Sequence, residues 1–259
     1  MLPLMGNCIR TNLAEGGGMT EPVSIRFGDL ATASFLDRPN RFIVRCRLTE
    51  TGEDVQAHLA DPGRLKELLL PGATLHLRFV DDPQRKTQWS AVLVLAPDHR
   101  TYVSLQAALA NRLVEQALKA GIIGQLANWD TKRREYAYGS SRWDFLLKNS
   151  KGRQMLLEVK SCTLVQDGVA MFPDAVTERG RRHVQELTRL RDKSGFETAV
   201  LFVVQRGDGK IFRPAVHIDP AFAEALKVAH HSGVKVFVYD CAVDPMGITW
   251  GRELGMDFS

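Results

Sequence analysis

Two short apolar runs joined by a polar break constrain this chain more than any other segment. Trp143-Asp144-Phe145-Leu146-Leu147 is followed by Lys148-Asn149-Ser150-Lys151-Gly152 and, after two residues, by Met155-Leu156-Leu157-Glu158-Val159-Lys160. Apolar, aromatic and branched runs around a turn-forming cluster predict a strand, a turn and a strand. Side chains alternate along a strand, so Glu158 and Lys160 share a face and Val159 points away. With a five-residue loop over 148–152, Leu147 pairs with Arg153, and Asp144 lies opposite Leu156, diagonal to Glu158 on the same face. Diagonal pairs sit about 7–8 Å apart at the backbone, within reach of one bridging ion. A loop one residue shorter turns Asp144 to the other face, so a shared site requires an odd loop or a bulge. Two converging carboxylates can hold a divalent cation, and a lysine beside them can offset the charge that grows on an attacked phosphodiester. Asp, then Glu-x-Lys on the next strand, is the metal-site pattern of one large class of nucleases. The same letters also fit a half-buried strand with one charged face.

Composition sets the frame for that motif. The chain has 259 residues, 44% apolar and 25% charged, which suits one large or two small folded domains. No apolar run approaches the roughly 18 residues that span a bilayer, so no membrane partner is expected. The four cysteines are far apart and form no Cys-x-x-Cys, which fits a reducing, cytoplasmic setting. A net charge of +4 permits a nucleic-acid partner without demanding one. Residues 1–19 read as a disordered extension ending in a glycine run, with Met19 as an alternative start.

Two units follow, expected over 20–98 and 99–259. The first reads as all-β, with strands at 23–27, 31–36, 42–48, 54–59, 74–80 and 87–96 and a turn plus short helix over 61–72, capped by Asp61 and stopped by Pro71-Gly72. This pattern supports a small barrel, of which an OB-like barrel is one form. In the second unit an amphipathic helix is expected over 105–120, with Leu105, Ala108, Leu109, Leu113, Val114 and Leu118 inward. The hairpin comes next, then a helix over 174–191 with Val176, Val184, Leu187 and Leu190 inward. A buried strand over 198–204, a helix over 219–230 and a strand over 234–239 complete an α/β sandwich with a mixed sheet.

These segments resemble one family closely. Arg38-Pro-Asn-Arg-Phe-Ile-Val, His58-Leu-Ala-Asp-Pro-Gly-Arg-Leu-Lys-Glu-Leu-Leu, Ser141-Arg-Trp-Asp-Phe-Leu-Leu, Leu157-Glu-Val-Lys-Ser-Cys-Thr-Leu and Ala170-Met-Phe-Pro-Asp-Ala-Val-Thr-Glu-Arg-Gly-Arg-Arg-His are similar to the sugar fermentation stimulation protein A family, from about Phe27 to Val243. The resemblance implies an N-terminal OB-like domain followed by a restriction-endonuclease-like, PD-(D/E)xK domain. It also implies DNA binding and a nuclease assignment, with Asp144, Glu158 and Lys160 matching the motif without departure. The family name reflects a sugar-utilisation phenotype and not a reaction.

The expected roles follow from these residues. Asp144 and Glu158, with the Val159 carbonyl and Glu115 as further candidates, are expected to hold Mg²⁺, or Mn²⁺ in its place. Lys160 is expected to stabilise the transition state, and direct attack by water is the expected hydrolysis. Arg133, Arg134 and Arg142 beside the hairpin, and Arg179, Arg181, Arg182 and His183 after it, are candidate contacts to DNA or RNA. Gly180 among them is read as a point of close backbone approach. Arg41, Arg45 and Arg64 are the candidates on the barrel. The competing reading is a non-catalytic, sequence-tolerant DNA-binding regulator linked to sugar (maltose) metabolism. It leaves two acids facing a polyanion without a purpose.

Overall fold

The computed structural model describes residues 22–193 and 195–258, so the extension expected at 1–19, with Met19, lies outside the described residues. In chain order the strands before the first helix are β1 (Ser24–Arg26), β2 (Ala31–Asn40), β3 (Ile43–Leu48), β4 (Asp54–Leu59), β5 (Thr74–Phe79), β6 (Trp89–Leu95) and β7 (Tyr102–Ser104). Helix α1 (Leu109–Lys119) leads to β8 (Trp129–Tyr138), β9 (Ser141–Asn149), β10 (Gln154–Cys162), β11 (Leu164–Gln166) and β12 (Val169–Phe172). Helix α2 (Glu178–Lys193), β13 (Glu197–Val204), β14 (Ile211–Pro214), α3 (Pro220–His231), β15 (Lys235–Asp244), β16 (Gly247–Glu253) and β17 (Gly255–Met256) complete the order.

Strands β4-β3-β2-β5-β6 curl until β4 pairs with β6 and closes a barrel, which β7 extends. Alternate residues such as Val44, Cys46, Ala57, Leu59, Leu75 and Leu77 fill it. The strand expected at 23–27 forms, but it pairs with β16 in the large sheet and not with the barrel. The barrel sheet in turn runs on through β7 to Ser104. The helix expected over 61–72 is instead a sequence of turns, because Leu65 takes a left-handed φ of 51° that no α-helix accepts. Leu65, Leu68 and Leu69 still plug the barrel, so the apolar spacing was read correctly and the backbone was not.

The second unit is built on a mixed seven-stranded sheet, β1-β16-β15-β13-β10-β9-β8, in which β10, β13 and β15 run parallel. Leu109, Leu113 and Val114 of α1 cover one face. Val184 and Leu187 of α2, with Phe222 and Leu226 of α3, cover the other. This explains why β13 reads as nearly unbroken apolar sequence. Helix α1 begins at Leu109 and not at 105, because the Leu105 N–H still donates to the Val92 carbonyl (2.8 Å), and Ala108 is exposed. Helix α2 begins after Thr177, whose Oγ1 accepts from the Gly180 N–H (3.1 Å). Val176, expected inward, therefore precedes the helix and is 68% exposed. Asp219 caps α3 as expected, accepting from the Phe222 N–H (2.9 Å). A small sheet, β11-β12-β14-β17, was not foreseen from the sequence. Among the described residues no helix is long and apolar enough to cross a membrane.

Candidate functional site

The hairpin register differs from the expected one by two residues. Leu147 pairs with Met155, Leu146 with Leu156 and Phe145 with Leu157, where the paired register stops one residue short of Asp144 and Glu158. The Asn149 N–H donates to the Arg153 carbonyl (3.0 Å), so the loop is only Ser150-Lys151-Gly152, with Gly152 at a φ of 80°. A glycine in the left-handed region closes three-residue hairpins of this kind. The loop stays odd, although the count of five does not hold, and Asp144 is reached from α1 while Glu158 is reached from α2. The ladder ends at the acids, where Asp144 Oδ2 takes the Val159 N–H (2.7 Å).

Each carboxylate is held on two sides. Asp144 Oδ1 accepts from the Asn111 side chain on α1 (2.7 Å), and Glu158 Oε1 meets both the Lys160 ammonium (2.5 Å) and His183 Nδ1 on α2 (2.6 Å). Among the described residues no hydrogen bond reaches Glu158 Oε2. The pair is electrostatically split. Burial, aided by the Glu158 charge, pushes the Asp144 carboxyl up to about 6, against the Val159 and Asn111 hydrogen bonds. Burial also works against ionised Glu158, but the His183 hydrogen bond and the Lys160 charge outweigh it and hold this carboxyl below its usual range.

A cleft of about 440 Å³ opens at the junction of the two units. Its wall includes Asn111, Val159 and Lys160, three of the residues that touch the two acids, and Arg41 and Asp61 from the barrel side, while neither acid is among its lining residues. Asp174 bridges the units by accepting from the Leu65 N–H (3.3 Å), and a Cβ at Gly63 would overlap its carboxylate. Among the described residues no group of three His, Cys, Asp or Glu side chains is disposed to hold a metal.

Two sequence assignments are corrected here. Glu115 is not free for a cation, since Arg134 (2.8 Å) and Lys119 (3.0 Å) both pair with it. His183 is buried against Glu158 and is not a surface phosphate contact. The other basic candidates are spread out. Arg41 lines the cleft, and Arg64 lines the groove beside it. Arg45 is taken by Asp37 and Arg142 by Glu135 (2.8 Å). Arg133 lies over the Tyr136 ring, Arg179 and Arg182 are exposed on α2, and Arg181 faces the groove between α2 and α3. Gly180, read as a point of phosphate approach, instead makes room for the Thr177 cap, because a Cβ there would come within 2.9 Å of the Thr177 side chain. Sequence reasoning missed Asn111 as a partner of Asp144. Its only signal was a polar residue one turn ahead of Glu115 on the same helix.

Comparison with known proteins agrees with this architecture. A family profile described as the SfsA N-terminal OB domain matches residues 36–105, and one described as the sugar fermentation stimulation protein RE domain matches residues 108–247. The sugar fermentation stimulation protein homolog of Clostridium tetani is 40% identical over 226 residues, covering 87% of this chain and 96% of that protein. The homolog of Shouchella clausii is 45% identical over 210 residues, covering 81% and 90%. The structure of Pyrococcus furiosus SfsA in complex with Ca²⁺ superposes with a TM-score of 0.81 at 28% identity, covering 92% of this chain and all of that one.

Proposed function

This chain belongs to the sugar fermentation stimulation protein family, and from that premise we propose that it binds DNA and hydrolyses its phosphodiester bonds with a divalent metal, Mg²⁺ first and Mn²⁺ in its place. The observation that carries the reading is the recessed acid pair with a lysine on the same strand. Two carboxylates beside a polyanion repel it unless a cation intervenes.

The donor set fits a hard cation. It offers oxygens only, with Glu158 Oε2 uncommitted and one hydrogen bond on each Asp144 oxygen, which leaves lone pairs on both residues. The N–H and C=O of one strand residue point the same way, so the Val159 carbonyl faces the side on which its N–H meets Asp144. That a relative was solved with Ca²⁺, another hard cation, supports the same choice. A Mg²⁺ ion held by Asp144, Glu158 and the Val159 carbonyl would polarise the scissile phosphate and acidify a bound water. Lys160 presents a positive charge at the cleft wall, where negative charge grows on the attacked phosphate. Asn111 and the Val159 N–H fix the plane of Asp144, and His183 fixes Glu158 from α2. Exposed arginines such as Arg41, Arg64, Arg179 and Arg182 would add sequence-tolerant, salt-sensitive grip on phosphates.

The test is incubation of single- and double-stranded DNA, and of RNA, with the purified protein in Mg²⁺, in Mn²⁺ and in EDTA. Cleavage that EDTA abolishes supports the reading. Tight binding without metal-dependent cleavage leaves the DNA-binding regulator. A second expectation needs no turnover. Asn111→Ala weakens Mn²⁺ binding by about 10–100-fold in calorimetry, because the acid it orients is set loose. In the wild type, metal affinity climbs as pH rises through about 6, where Asp144 loses its proton. A flat affinity between pH 5 and pH 7 (~ values bracketing that titration) would remove Asp144 from the ligand set.

A further inference from the structure

The catalytic cleft does not end at the junction of the two units. A second groove of about 600 Å³ crosses the barrel surface, and Arg41, Pro62, Gly63, Ala175 and Val176 line both. The two are one continuous channel with Arg41 at the join. We infer that this channel takes one unpaired DNA strand, which runs over Arg64 and Lys66, passes Arg41 and presents its phosphate to Lys160. The inference rests on the nuclease reading for its endpoint and on the channel alone for the strand.

Charge favours a polynucleotide. Arg41, Arg64 and Lys66 are exposed, and none forms an ion pair among the described residues, whereas Arg45 and Arg47 on the same barrel are paired with Asp37 and Asp54. Unpaired cations along a groove track a phosphate backbone. Of the acids of the channel, Asp37 pairs with Arg45, Asp61 accepts from the Gly63 N–H (2.8 Å) and Asp174 accepts from the Leu65 N–H (3.3 Å). Apolar surface is also present for bases, since Val176 is 68% exposed in the channel wall and Phe42, beside Arg41, is 56% exposed.

Depth favours one strand over two. The Glu158 and Lys160 side chains are only 5% and 15% exposed. The cleft that Lys160 lines, about 440 Å³, has the volume of a pocket for a small molecule. The Asp174–Leu65 contact joins the two units across it. A phosphate inside a duplex stays on the outside of such a cleft, while a strand freed from its partner can thread it.

The experiment measures fluorescence anisotropy of a labelled oligothymidylate and of a duplex of equal length, in EDTA so that nothing is cut. Wild type is expected to bind the single strand at least about tenfold more tightly at moderate salt. The triple variant Arg41→Ala, Arg64→Ala, Lys66→Ala is expected to lower the slope of log affinity against log salt by about 0.7 per cation removed. Arg153→Ala, just before β10 and paired with Glu197, should leave that slope alone. Equal or tighter binding of the duplex, or an unchanged slope in the triple variant, would overturn the channel. Single-strand binding that needs these three cations, without any cleavage in Mg²⁺, would keep the channel and sink the nuclease reading instead.

Discussion

Lys160→Ala is expected to lower the proposed metal-dependent cleavage by about 10²–10³-fold in single-turnover assays, about 3–4 kcal/mol of transition-state stabilisation. Lys160 is the cation of the motif strand that both lines the cleft and touches an acid of the pair. Its loss leaves Glu158 with His183 as its remaining side-chain partner. The change should appear in the rate of the chemical step and hardly in DNA affinity, because Arg41 and the exposed arginines remain. Glu158→Gln separates the roles further. An amide oxygen can still accept from Lys160 and His183, so the fold survives while the charge that would hold the metal is gone. A Lys160→Ala protein that cuts at the wild-type rate would remove the lysine from the mechanism.

Asp61→Asn is expected to stabilise the protein at pH 7.5, a value above the Asp61 titration (~6), by about 1–3 kcal/mol. Asp61 is 6% exposed, and burial, aided by the charges of Asp174 and Glu67, pushes its carboxyl up to about 6. The unfolded chain titrates near 3.9, so between about 4 and 6 the folded state holds the extra proton. The stability this contributes is fully present below about 4 and is lost as pH rises through about 6. Asparagine keeps an oxygen for the Gly63 N–H and has no charge to bury. Urea unfolding on either side of that window should show the wild type losing stability toward neutral pH and the variant losing less. A variant weaker than wild type at the higher pH would mean that ionised Asp61 makes a contact the structure lacks.

What could be read from the chain depended on how far apart the interacting residues lie. The hairpin was legible because a strand, a turn cluster and a strand are local signals, although its loop has three residues and not five. The inward residues Leu109, Leu113 and Val114 of α1 and Val184 and Leu187 of α2, and the apolar run of β13, followed from periodicity in the same way. The partners of the acids did not. Asn111 reaches across 33 residues to Asp144, and His183 across 25 to Glu158, so neither pairing follows from local spacing. His183 sat among arginines and was grouped with them, yet it falls on the inward face of α2 beside Val184 and Leu187. Glu115 had the better chemical credentials for the metal, but two neighbouring cations were within its reach. Segment 61–72 failed as a helix for a related reason. Its capping and stop signals were local, while the carboxylate of Asp174, from the other unit, accepts from the Leu65 N–H.

Strand β1 joins the large sheet before the barrel begins, and the chain returns to that sheet only after β7. The barrel is therefore an insertion, spliced between the first and later strands of the α/β unit. Dissecting this protein into halves needs two cuts and one new ligation. A truncation made between the barrel and α1 strips β1 from β16 and leaves a bare sheet edge open to pairing with other chains. The α/β unit's own sheet order is independent of the barrel, yet Val92 and Leu93 of the barrel strand β6 are part of its core.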